Sequence, residues 1–362
     1  MSNKISRRQA LAAGAVSTGI FLGAGCTSTR EPERETEEGP GRESYWGPGA
    51  DMNVIRDLTP GPTPIRLGGN LRLTEDTDIT EAVKKQKEEG HTAVITRGEW
   101  IDELTDSRLS ELNAALKQYD VVISAVTGNR YTNFIHPDAD IRQKYLKNLA
   151  NFIEIADRVN CRAVPTICGT CAPETPEKVS FIDLFSKEYR YNVHPENWSL
   201  KTWNLLVESV KQVLRDTSGM KAAIAMEAQV TTTIDGPLSH RRLIDDVGNP
   251  RIGVELDPVN MVSLQNYYHT TELINECFDL LGEQILTCHA KDNYIWPNQQ
   301  TVHVQEVCAG RGVMDYETYL IRMSRLEWPR MLLPEHIPAD QYQEAYEYIK
   351  KMASEVGVKI YG

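Results

Sequence analysis

The 362-residue chain predicts an α/β protein whose body is a (β/α)₈ (TIM) barrel, and two observations carry that expectation. Short apolar, β-branched runs alternate eight times with amphipathic stretches of helical period between Ile65 and Val356. No G-x-G-x-x-G or P-loop interrupts the series, which argues against a doubly wound sheet.

The N-terminus stands apart from this body. Residues 1–25 carry Lys4, Arg7 and Arg8, then an apolar stretch from Leu11 to Gly25, and no acid. A basic segment followed by an apolar one is the layout of an export signal, and Ser6-Arg7-Arg8-Gln9-Ala10-Leu11 is similar to the twin-arginine consensus. Leu22-Gly23-Ala24-Gly25-Cys26 resembles a lipoprotein cleavage box, so Cys26 is the expected acylation site. The result would be an exported protein, periplasmic or held at a bacterial membrane by that lipid. The run is too short and too often broken by Gly and Ser for a membrane span. Residues 26–62 are rich in acids, Pro and Gly without an apolar period, and read as a solvated linker ahead of a barrel at 63–362.

The strands are expected at Ile65–Gly69, Thr92–Thr96, Val121–Val126, Ala163–Ile167, Ala222–Glu227, Ile252–Asp257, Ile285–Ala290 and Met331–Glu335. Helical patterns fall at Thr80–Glu89, Ser107–Gln118, Ile141–Val159, Leu200–Thr217, Pro237–Val247, Thr270–Leu281, Tyr316–Ser324 and Asp340–Val356, with Ser107 as the cap of the second. Two connections are long: Gly169–Asn197, carrying Tyr189, Tyr191 and His194, and Lys291–Met314, carrying Tyr294 and Trp296. Loops of that length on the C-terminal face of a barrel are lids or binding surfaces, and aromatic faces there suit sugars.

Each of the last four strands ends in a group able to bind a metal: Glu227, Asp257, His289 and Glu335. Adjacent strands lie about 4.8 Å apart, so four side chains at one height can meet at a point. A single acid at a strand end is usually a cap or an ion pair. Three carboxylates and an imidazole in register suit one divalent ion, Mn²⁺ or Mg²⁺ first, with Zn²⁺ or Co²⁺ as alternatives.

These residues sit in motifs that resemble the xylose-isomerase-like barrels, which include sugar isomerases, sugar 3-epimerases and hydroxypyruvate isomerase. The likeness is carried by Glu227, Asp257-Pro258-Val259-Asn260-Met261, Cys288-His289-Ala290-Lys291-Asp292, Gly310-Arg311-Gly312-Val313-Met314-Asp315-Tyr316 and Leu333-Pro334-Glu335-His336. It implies that the four residues bind the metal and that Glu227 and Glu335 exchange a proton beside a substrate carbonyl. The chain departs from the keto-sugar epimerases at Asn260, Ile295 and Thr233, where they place a histidine, an arginine and a glutamate. Gln229, Asn260, Lys291, Arg130 and His336 are the candidates for substrate contact instead. Lys291 paired with Asp292, and a tight turn at Gly310-Arg311-Gly312, are the structural alternatives. His91 reads as structural, and Cys161, Cys277 and Cys288 as reduced core thiols; Cys168 and Cys171 could form a loop disulfide.

A net charge of −12 argues against nucleic acid as a partner. The expected substrate is a small carbohydrate, with membrane contact only through the lipid anchor and self-association left open. An isomerase or epimerase acting on a non-phosphorylated sugar, keto-sugar or oxidised glycoside is the first reading. A 3-keto-glycoside lyase on the same site and a sugar-binding protein without turnover are the rivals.

Overall fold

The computed structural model describes residues 58–128, 133–171, 193–296 and 300–362. The leader, Cys26, nearly all of the linker, Arg130, Tyr189 and Tyr191 lie outside the described residues. No helix of the described residues is long and apolar enough to cross a membrane.

The first seven strands are β1 Arg66–Asn70, β2 Ala93–Arg97, β3 Val122–Thr127, β4 Ala163–Ile167, β5 Ala223–Glu227, β6 Ile252–Leu256 and β7 Ile285–Ala290. A hairpin of β8 Asp292–Ile295 and β9 Val304–Val307 follows, then β10 Met331–Pro334. Strands β1 to β7 and β10 are parallel and close into one barrel, β1 pairing with both β2 and β10. Every barrel strand lies within one residue of its expected limits. The TIM-barrel expectation holds.

Nine α-helices connect the strands among the described residues: α1 Ile79–Glu88, α2 Gly98–Asp102, α3 Asp106–Tyr119, α4 Ala139–Arg158, α5 Leu200–Asp216, α6 Pro237–Val247, α7 Thr270–Leu281, α8 Tyr316–Ser324 and α9 Tyr342–Glu355. Side-chain caps start several of them, Asp78 accepting from the Glu81 N–H, Asp138 from Ile141 and Ser199 from Thr202. Ser107 is not the cap of α3. Thr105 holds the extended cap conformation and accepts from the Arg108 N–H at 3.4 Å, which leaves Asp106 in the first turn to favour the helix dipole. The one-turn α2 had no periodic signal and was not expected.

Two packing layers result. Outward-facing strand residues such as Ile224, Val254 and Leu332 are fully buried against helix residues such as Leu206, Val210 and Ile274. Inside the barrel the residues are smaller: Ala93 and Ala125 pack with Met331 and Leu333, and Ala163, Ala223 and Ala225 with Leu286. Barrel interiors are ordinarily filled by bulky branched side chains. Toward the strand ends, between Ile95, Pro165, Glu227, Glu255, His289 and Leu333, a cavity of about 1100 Å³ opens.

The end of β5 is pinned from outside by His240 of α6, whose Nε2 lies 3.0 Å from the Met226 carbonyl oxygen. Burial pushes this imidazole down to about 4, from an ordinary 6.5. The unfolded chain therefore takes up a proton near pH 6.5 that the folded chain refuses until about pH 4. Stability should fall by about 3 kcal/mol as pH drops through that window, and the effect should vanish above it, where both states are neutral. Calorimetric Tm measured against pH checks this, with His240→Gln expected to flatten the dependence.

Candidate metal centre

Glu227 ends β5, Asp257 follows β6, His289 lies near the end of β7 and Glu335 follows β10, so the barrel wall itself sets their spacing. One ligand atom from each lies within 4.8 Å of the others. His289 Nδ1 is the centre of the group, 3.1 Å from Glu335 Oε2, 3.5 Å from Glu227 Oε1 and 3.6 Å from Asp257 Oδ2. Around a metal with bonds of about 2.1 Å, neighbouring ligand atoms are about 3.0 Å apart in an octahedron and about 3.4 Å in a tetrahedron. Three of these atoms, Asp257 Oδ2, His289 Nδ1 and Glu335 Oε2, are buried without a well-directed hydrogen bond. Donor chemistry and spacing both fit a divalent cation.

A protein cation already touches two of the ligands. The Lys291 ammonium is fully buried, 2.7 Å from Asp257 Oδ2, 2.8 Å from Glu335 Oε2 and 3.3 Å from Glu306 Oε2. Glu306 stands on β9, in the long connection after β7. That connection is a hairpin rather than an open loop, and it carries an acid onto the centre that the sequence reading did not single out. Its signal was the alternation of Val302 and Val304 with polar residues, following Tyr294 and Ile295 in the same connection. Lys291 is thus a partner of the ligand carboxylates and does not pair with Asp292. Asp292 instead accepts from the Asn293, Gly310 and Met314 N–H groups. Those bonds consume the backbone donors of the glycine-rich segment, and Arg311 pairs with Glu344, so Gly310-Arg311-Gly312 is a tight turn.

The other candidates are placed as follows. Asn260 Nδ2 donates to Glu227 Oε1 at 2.9 Å. His336 lines the cavity, its Nδ1 3.0 Å from Lys291 Nζ and its Nε2 3.4 Å from Glu335 Oε1. It has φ of +58°, a left-handed conformation uncommon outside glycine and asparagine. Gln229 is half-buried and is not among the residues lining the cavity. Tyr294 and Trp296 pack edge-to-face on the exposed side of the hairpin. Cys168 and Cys171 are free thiols, Cys171 Sγ donating to Asn197 at 3.0 Å. Glu255 was missed altogether. It lies two residues before Asp257 on the same face of β6, buried and lining the cavity, and period-2 alternation would have found it.

Electrostatics separate the two glutamates. Burial pushes Glu227 up to about 7, with Glu255 and Glu335 adding to the shift and His289 opposing it. Burial also opposes ionisation of Glu335, but His289 and Lys291 outweigh it and hold the carboxyl well below the usual range. The imidazole of His289 is desolvated yet held protonated by the surrounding acids.

This geometry defines a (β/α)₈ barrel with a carboxylate–imidazole cluster able to hold a metal at its C-terminal mouth. The chain belongs to the family described as xylose isomerase-like TIM barrel, whose model matches residues 87–352. Solved structures agree in fold. One is a xylose isomerase-like TIM barrel protein from Mycobacterium smegmatis in complex with magnesium, at 17% identity and TM-score 0.56, covering 81% of this chain and 97% of that one. Another is 3-keto-D-glucoside 4-epimerase from E. coli, at 14% identity and TM-score 0.54, covering 82% and 99%. A third is a probable 3-DHS dehydratase from Bacillus anthracis, at 14% identity and TM-score 0.57, covering 80% and 99%. At these identities the likeness shows the fold alone. No curated protein matches the chain.

Two outcomes are expected. The chain should bind one divalent ion, raising its stability by about 2.7 kcal/mol at a hundredfold excess over Kd, and Asp257→Asn should abolish the shift; Tm with Mn²⁺ or EDTA measures it. Lys291→Met should cost the metal-free chain about 3–5 kcal/mol, because the buried Asp257 carboxylate and the half-buried Glu335 and Glu306 lose their counter-ion. Urea unfolding should show Mn²⁺ restoring more stability to that variant than to the wild type.

Proposed function

We propose that the chain is a metal-dependent isomerase or epimerase that moves a proton next to the carbonyl of a non-phosphorylated sugar, keto-sugar or oxidised glycoside. The observation that carries this reading is the placement of two glutamates, Glu227 and Glu335, on strands either side of Asp257 and His289 at the wall of one cavity. A proton beside a carbonyl is too weakly acidic for a carboxylate acting alone. A divalent ion held by the four residues, Mn²⁺ or Mg²⁺ by donor set, supplies the electrophilic stabilisation that makes it removable. Glu227 and Glu335 then serve as the pair that takes and returns the proton. Asn260 fixes one oxygen of Glu227, so the other is the one offered for transfer. His336 and the buried Lys291 fix Glu335.

The family's sugar-processing members, and a fold neighbour that is a 3-keto-glucoside epimerase, support a carbohydrate substrate. The twin-arginine leader and Cys26 support an exported, lipid-anchored protein, and export favours free sugars over sugar phosphates, which are mostly cytoplasmic. A 3-keto-glycoside lyase is the second reading. The cavity of about 1100 Å³ favours it, since it lies just above the range of about 300–1,000 Å³ that holds drug-sized ligands and leaves room for an aglycone.

Proton NMR in deuterium oxide with Mn²⁺, across free sugars, keto-sugars and 3-keto-glycosides, tests both. Deuterium entering the carbon beside the carbonyl without bond cleavage is the expected result, and aglycone release identifies the lyase. Glu335→Gln should lower the exchange by at least about a hundredfold, on the scale of lost general-acid or general-base catalysis. Sugar binding with no exchange from any substrate would identify a binding protein.

A further inference from the structure

We propose that Glu255 is the positioning residue of the metal centre, holding the His289 ring so that Nδ1, and not Nε2, is offered to the ion. The inference rests on the reading of Glu227, Asp257, His289 and Glu335 as a divalent-metal site.

The two faces of the imidazole ring meet different groups. Nδ1 is turned to the three ligand carboxylates at 3.1–3.6 Å. Nε2 is turned away from them, 3.3 Å from Glu255 Oε1. A neutral imidazole has one lone pair to give and one N–H to place. Coordination through Nδ1 requires the N–H to sit on Nε2, where an acceptor must receive it, and a carboxylate is the acceptor that most strengthens the ring as a ligand.

The strand register explains why Glu255 fills that role. Glu255 pairs with Glu227 on β5 and with Thr287 on β7, two residues below His289. The pairing between β6 and β7 shifts between Val254 and Glu255, and this shift sets Glu255 beside the β7 residue under the histidine. A carboxylate on the inner wall of a barrel is expensive to bury, and Glu255 makes no ion pair with a lysine or arginine among the described residues. Its charge is met by the histidine. The other inward positions of β5 are Ala223 and Ala225, which offer no side-chain acceptor, and Glu227, whose carboxylate lies on the Nδ1 side.

Titration calorimetry of the metal-free chain with Mn²⁺, on wild type, Glu255→Ala and Glu255→Gln, tests the inference. Glu255→Ala should weaken binding 10- to 100-fold, as loss of such a partner does elsewhere. Glu255→Gln keeps an acceptor at Nε2 without the charge and should stay within about threefold of wild type. Unchanged affinity in Glu255→Ala would overturn the inference. So would Glu255→Gln falling as far as the alanine variant, because the carboxylate would then act through charge alone. Nitrogen-15 NMR of histidine-labelled wild type with Zn²⁺ gives a readout independent of any variant. A proton on Nε2 of His289 is expected, and a proton on Nδ1 would overturn the assignment. Absence of Mn²⁺ binding by the wild type would instead overturn the metal reading on which this rests.

Discussion

The crowding of acids at one end of the barrel is the constraint around which the other features arrange themselves. Glu227, Glu255, Asp257 and Glu335 come from three strands whose axes are a single hydrogen-bonded spacing apart or share one neighbour, and Glu306 is brought to them by the hairpin. Carboxylates buried together are tolerated only if cations or protons accompany them. Lys291, His289 and His336 supply three positive or polarisable partners for five acids, and the deficit is what a divalent ion would make good. Asp292 belongs to the same problem, since by caging the glycine-rich turn it fixes the hairpin that delivers Glu306.

How much of this was legible follows from the physical signals involved. The barrel strands were readable because each is an apolar run bounded by turns, and two-sided burial in a parallel sheet demands such runs. The ligands were readable because each occupies the same place relative to its strand end. Contacts that depend on the path of a connection were not. Glu306 reaches the centre only once β9 folds back along β8, and nothing local to Val304–Val307 says where the hairpin will lie. Lys291 shows the limit most clearly. Its position two residues past His289 does aim it at the centre, but the sequence could not tell whether its long side chain would rise toward a substrate or fold onto Asp257 and Glu335. The α3 cap failed for a smaller reason: Thr105, Asp106 and Ser107 are all competent caps, and backbone geometry chose between them.

The small residues inside the barrel deserve equal weight with the charged ones. A metal site needs only the upper rim, yet Ala93, Ala125, Ala163 and Ala225 thin the wall below it. Such thinning gives up packing that branched side chains would have supplied, at about 0.8 kcal/mol per methylene left unburied. The cavity lies toward the strand ends from these positions, lined by Glu255 and Glu227 on the barrel side and by His303, Glu306 and His336 on the loop side.

Charge and volume together locate where specificity must come from. In the proposed chemistry, deprotonation followed by return of the proton and deprotonation followed by loss of a substituent would begin at the same pair of glutamates, so the ligand set cannot select between them. Selection has to come from what the far wall permits: whether a group beyond the sugar ring is held, and whether a proton donor stands near the bond that would break. In this chain the cavity lining beyond the four ligands combines apolar groups, Ile95, Pro165, Leu333 and Ile337, with His303, Glu306 and His336. Apolar surface suits an aglycone, and the two histidines are groups able to protonate one as it leaves. On the proposed reading, the hairpin and the residues after β10 select the reaction, while the four ligands set only that a proton moves.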